Sequence, residues 1–325
     1  RIQQAAYSLV PEEKKQHIHF HIGRLMQQHL TADEQAENAL EIVRQLNEGR
    51  GLLDDDAERL EFANLNLTVA KKARASAAYR PAFEYINVAA ELLPEHAWET
   101  HASLASEIFH ELSVCAYLCA EFDIAEAHCK TLLEHADRPL EQAEIRFMQL
   151  VQYAYNRRME EAIQVGIVGL RLLGISIPAK PTQADVLKEL LWAKWNLRRR
   201  KIADLINQPV ISDPEIILSM KILIDFITPS YLTGNANLFA LTVLKAANLS
   251  LKHGHNPDSA FGYANYAVLL AAMGDLKSAY GFGKLGIALN DFFQDKEGRS
   301  RTLTMYALFG HSWRHPLKTL PPLFA

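Results

Sequence analysis

The residues best suited to chemistry form two clusters. The first is His17, His19 and His21; the second is Cys115, Cys119 and Cys129, with His128 beside the last. On a helix His17 and His21 share a face and His19 points away. Such a pair can hold zinc, but a zinc site takes three or four protein ligands, and no Glu or further His stands at ligand spacing nearby. Cys115 and Cys119 also share a face, with Cys129 following the next connection. They fall where the helical pattern buries small apolar residues, a place free cysteine commonly fills. No metal and no cofactor are therefore expected. A phosphate-binding loop needs glycines ahead of a Lys-Ser/Thr pair at a helix start, and none is present. Gly281-Phe282-Gly283 falls inside a helical stretch. Serine-nucleophile signatures and paired catalytic carboxylates are missing too, so the expectation is a chain that is not an enzyme.

The elements that would carry these residues are helices. With 49% apolar and 22% charged residues in 325, the chain has enough apolar side chain to offset its conformational entropy. A net charge of −4 does not suit nucleic acid. The dense basic run Arg198-Arg199-Arg200-Lys201, beside Trp192 and Trp195, reads as the solvated face of a short helix. No apolar run approaches the roughly 20 residues that span a bilayer. Three cysteines so placed make no disulfide framework, and a reduced, cytoplasmic setting without membrane contact is expected. The chain starts on Arg1 and stops on Pro321, Pro322, Leu323 and Phe324, as though a helix from Leu317 onward were interrupted. Both ends read as cuts in a longer polypeptide.

Helix starts are marked by the capping box Thr31-Ala32-Asp33-Glu34 and by Asp54-Asp55-Asp56. Pro11, Pro94, Pro139 and Pro214 are expected in first helical turns. No stretch alternates with period two, so no sheet is expected. One pattern recurs: an apolar residue, two spacers and a small residue, at Tyr79/Ala82, Phe122/Ala125, Met159/Ala162 and Leu276/Ala279. Degraded copies at Ile202/Leu205 and Leu238/Leu241 fill the long gap. Such periods predict an all-α solenoid of tetratricopeptide-like helix-turn-helix repeats. Gly174 to Thr182, with two prolines and a glycine, breaks it. The expected organisation is a helical tail of a preceding module over 1–53 and a first sub-array over 54–173. An elbow over 174–184 and a second sub-array over 185–325 follow. Inner helices of the second sub-array would present Tyr231, Lys245, Asn248, Lys252, Tyr263, Asn265 and Tyr266, types suited to a peptide or small ligand.

Several segments match in order and spacing. They are Tyr7-Ser8-Leu9-Val10-Pro11, His21-Ile22-Gly23-Arg24-Leu25, Ile42 to Asn47, Ala73 to Tyr79, Gly169 to Ile175, Leu238 to Leu241, Asn248 to Gly254 and Ala260 to Tyr263. Over nearly its whole length the chain resembles the helical region that follows the ATPase module in large multidomain bacterial signalling proteins. Those proteins join a serine/threonine kinase-like domain, a STAND/AAA-type ATPase, this region, a GAF domain and often a sensor histidine kinase. Gln45 departs from the His often found there. The resemblance implies a non-catalytic regulatory scaffold that contacts other domains of its own polypeptide or a protein partner. The alternative it implies is a small-molecule effector sensor, which a closed aromatic cavity would favour.

Overall fold

In the computed structural model, residues 11–316 and 318 are described, and they are helical almost throughout. The match at Tyr7 to Val10 and the interrupted helix expected from Leu317 lie outside them, Lys318 excepted. Among the described residues the isolated bridge between Val210 and His255 is the one β-type pairing, and no helix is long and apolar enough to cross a membrane. The chain is all-α, built of packed helix pairs.

Packing divides it into two units, Arg1–His135 and Ala136–Ala325. The first contains α1 (Glu12–His29), α2 (Ala32–Glu37), α3 (Ala39–Glu48), α4 (Asp56–Ala75), α5 (Tyr79–Glu91), the single turn α6 (Ala97–Thr100), α7 (Ala102–Leu118) and α8 (Phe122–His135). Helices α4/α5 and α7/α8 are hairpins, and α5 and α4 both pack on α7. The stretch expected to belong to a preceding module joins this unit: α1 packs on α3 and α3 on α4, and Ile42, Leu46 and Leu53 share one core with Phe62 and Leu67. Thr31 makes the expected capping box with Glu34, and Asp55 caps α4 by accepting from the Glu58 amide at 3.1 Å. Pro94 is a departure, for it lies in the connection between α5 and α6 rather than in a first turn.

The second unit contains α9 (Pro139–Tyr155), α10 (Met159–Leu172), α11 (Gln183–Leu197), α12 (Pro214–Leu232), α13 (Ala236–His253), α14 (Asp258–Ala272), α15 (Leu276–Phe293) and α16 (Lys296–Phe309). Hairpins α9/α10, α12/α13 and α14/α15 stack in order, with α16 against α14 and α15. The Gly174–Thr182 break is not where the units divide. It lies inside the second unit, with Ile177 buried in the same core as Leu170, Ala193 and Leu205.

The hairpins of both units close in one way. A three-residue connection has its middle residue left-handed, at Ala77, Ala120, Arg157, Gly234 and Gly274, with φ between 59° and 85°. In four of them the next amide reaches back to a carbonyl five residues earlier, Ala78 to Ala73, Glu121 to Ala116, Arg158 to Tyr153 and Asp275 to Leu270, the Schellman closure. Each second helix then starts at the repeat residue the sequence shows, Tyr79, Phe122, Met159 or Leu276. Its small residue, Ala82, Ala125, Ala162 or Ala279, is at most 1% exposed. The α13 copy is out of register with expectation. That helix starts at Ala236, so Phe239 takes the small residue's place, its ring 5.6 Å from that of Tyr231.

The Ile202 copy is not a repeat at all. Residues Ile202–Asn207 form a 3-10 turn that packs on α15. This turn and α11 interrupt the hairpins: α10 meets α12 directly, Gly166 leaving so little room that a Cβ would stand 2.5 Å from the Phe226 ring. The strand-like crossing that follows is held by Ile211 N–H to the His255 carbonyl at 2.8 Å and His255 N–H to that of Pro209 at 2.9 Å. Gly254 permits it, since its φ is +105° and a Cβ would fall 2.0 Å from the Pro209 oxygen.

Two substitutions should move stability in opposite directions. Ala120→Gly relieves a left-handed alanine and should raise unfolding free energy by about 0.5–1 kcal/mol in urea melts, whereas Gly274→Ala should lower it by about 1 kcal/mol. Gly254→Ala should cost about 3 kcal/mol or more, with Gly51→Ala, whose Cβ meets nothing within 4 Å, as the neutral control.

Candidate functional site

Helix α11 is the odd element of the second unit, and its two faces differ. Thr182 starts it with a capping box, Asp185 accepting from the Thr182 amide at 2.8 Å and hydroxyl at 2.7 Å. Its inner face lies on α13, where Ala193 is fully buried. Glu189 receives the Lys245 ammonium at 2.8 Å and the Asn248 amide at 2.9 Å, and both partners of the ion pair are 17% exposed. Asn196 donates to Asn248 at 3.0 Å. Charged and amide groups this shielded hold α11 in one register on α13, because shifting it would strand a buried charge.

The outer face carries Leu187, Leu191, Trp192 and Trp195, each at least 50% exposed. Leu187, Leu191 and Trp195 follow at intervals of four with Trp192 beside Leu191, one stripe along about two turns. The Arg198 guanidinium lies 3.4 Å from the Trp195 ring centroid. Beside the stripe runs an open groove of 350 Å³ between α11 and α13, lined by Trp192, Asn196, Lys245, Asn248, Lys252 and His253 among others.

Of the seven residues expected at a groove, Lys245, Asn248 and Lys252 stand along the one between α11 and α13. Tyr231 is exposed at the end of α12, away from that lining. Tyr263, Asn265 and Tyr266 are buried rather than presented to a groove. They are 0%, 4% and 3% exposed, for α14 is packed by α12, α13, α15 and α16. The rings of Tyr263 and Tyr266 sit 5.3 and 4.9 Å from that of Phe282. The Tyr263 hydroxyl meets His255 Nε2 at 3.1 Å, and Asn265 donates to the Phe261 carbonyl of its own helix at 2.9 Å. The basic run is also placed differently. Helix α11 ends at Leu197, Arg199 is left-handed, and Arg200 turns inward to the Asn196 and Leu251 carbonyls.

The histidines of α1 are exposed or half-exposed, and His19 bonds Gln45, which is itself nearly buried. Burial, with the Glu111 carboxylate next to it, pushes the Cys115 thiol up to about 12, and Cys129 sits 3.1 Å from the Ser113 hydroxyl. Among the described residues no three His, Cys, Asp or Glu side chains converge as a metal would require.

Two shielded carboxylates stand apart from the residues that the sequence pattern singles out. Burial raises Asp225 on α12 to about 6 and raises Asp258 on α14, against the opposing pull of Lys221 and Arg301. For Asp225 the signal was a lone charge in the apolar run Ile222-Leu223-Ile224-Asp225-Phe226-Ile227. Burial likewise pushes His255 down to about 4, with Arg200 adding to the effect.

No family model matches the chain, and no solved structure does. The chain is similar to the hybrid signal transduction histidine kinase G of Dictyostelium discoideum, 23% identical over 368 residues. The match takes in 99% of this chain but 11% of that protein, so the chain spans about a tenth of its relative's length.

Asp225 gives a pH-dependent test. Its folded pKa lies above the unfolded value, so the native state holds the proton more tightly and the cost of the buried charge disappears as pH falls from about 6 to about 4. Asp225→Asn should therefore be more stable than the parent chain by about 2 kcal/mol at pH 7.5, with the advantage gone near pH 4. Paired denaturant melts across that range would show it.

Proposed function

We propose that the chain is a non-catalytic regulatory module of a multidomain signal-transduction protein, and that its α11 surface docks another polypeptide segment. The observation that carries this reading is the stripe Leu187, Leu191, Trp192 and Trp195. Four large apolar side chains half exposed on one helix, beside a polar groove, are costly to leave in water. Aromatic anchors with a polar margin are the usual anatomy of a protein contact. The similarity to a signal transduction histidine kinase, running along 99% of the chain, supports the signalling context. The resemblance to helical regions behind STAND-type ATPases supplies a finer setting, in which occupancy of the surface biases a neighbouring ATPase or kinase. Such bias requires a segment that binds two arrangements of the protein with different affinity.

The effector-sensor alternative has less to rest on. The aromatic side chains it would use, Tyr263 and Tyr266, are engaged in the core, and the α11–α13 groove is open.

The full-length protein carrying Trp192→Ala and Trp195→Ala provides the test. These side chains contribute little to the chain's own core, so the variant should fold with unchanged helicity while its phosphotransfer or ATP turnover changes about threefold or more. A folded variant with unaltered output would refute the docking function.

A further inference from the structure

The charges around α11 bear on the chemistry of what would dock there. Although the chain is net negative, the surroundings of the stripe are basic. Lys188, Lys194, Arg198, Arg199 and Lys252 are exposed and form no ion pair among the described residues. The acidic residues of α11 are turned to other tasks, Asp185 in the cap and Glu189 in the ion pair with Lys245. A partner therefore meets an apolar crest flanked by exposed cations, Lys194 adjoining Trp195 and Arg198 over its ring.

The shape selects among acidic partners. The stripe from Leu187 to Trp195 is about 12 Å long, a little over two turns of helix at 1.5 Å per residue. Trp192 belongs both to the crest and to the groove, whose second wall is α13 with Lys252 and His253. A rod laid in that angle touches both walls, whereas a bilayer plane reaches the crest alone. We infer that the occupant is an amphipathic helix whose polar face is acidic: its apolar side covers Leu187, Leu191, Trp192 and Trp195, and its carboxylates meet Lys188, Arg198, Arg199 and Lys252. The identification rests on the docking function proposed above.

The test titrates the intact chain with a synthetic peptide of about four helical turns, leucines along one side and glutamates along the other, read by tryptophan fluorescence and peptide anisotropy. Saturable binding is expected that weakens with added salt. Both Trp192→Ala/Trp195→Ala and Lys188→Glu/Arg198→Glu should weaken it about tenfold or more while circular dichroism stays unchanged. The same peptide with lysines for glutamates should not bind. Equal binding of the acidic and basic peptides, no binding by either, or binding unaffected by the charge reversals would overturn the inference. So would binding of phosphatidylcholine–phosphatidylserine vesicles in place of the acidic peptide. If the peptide fails while full-length output still responds to the tryptophan substitutions, the acidic helix is refuted and docking stands; if output is also unresponsive, both fall.

Discussion

Everything in this fold follows from how closely two consecutive helices can approach. A three-residue connection with a left-handed middle residue returns the chain so sharply that the second helix must cross the first near its own start. The residue at the crossing must then be small, and Ala82, Ala125, Ala162 and Ala279 are buried to within 1% of completely. Within each unit that geometry leaves a hairpin with one apolar side uncovered, and the next hairpin of the same unit packs on it. Where the small residue is replaced, at Phe239, the bulk is taken up by an edge-on contact with Tyr231 at the open end of the pair.

Helix α11 shows what happens where the hairpin rule lapses. It has no antiparallel partner of its own and is held instead by shielded polar contacts to α13, the Lys245–Glu189 ion pair and the Asn196–Asn248 amide pair. Because α10 and α12 have already covered one another through Gly166 and Phe226, α11 rests outside the stack and keeps an apolar face. The exposed apolar face is thus a consequence of an extra element in an otherwise repetitive chain.

Buried polarity in the second unit serves the same end. The crossing of Pro209–Ile211 over Gly254–His255 ties the extra segment back to the array through two backbone hydrogen bonds. His255, driven toward its neutral form by burial, presents Nε2 to the Tyr263 hydroxyl rather than a charge to the core. The large apolar side chains of α11 stay exposed while the register beneath them is pinned.

The chain's own residues were enough to establish helices, the capping box at Thr31, an acidic helix start at Asp54 to Asp56, the absence of sheet pattern, and the repeat starts at Tyr79, Phe122, Met159 and Leu276. All of these depend on neighbours within a few turns, which local spacing records. The register at α13, the strap at Ile202 and the burial of Tyr263, Asn265 and Tyr266 were decided by tertiary packing. An aromatic or amide at helical spacing looks the same whether its face meets a groove or a fourth neighbouring helix. Trp192 and Trp195 were visible as residues beside a basic run; their exposure came from α11 lying outside the stack, because the partner that would have covered it had already closed on its own neighbour.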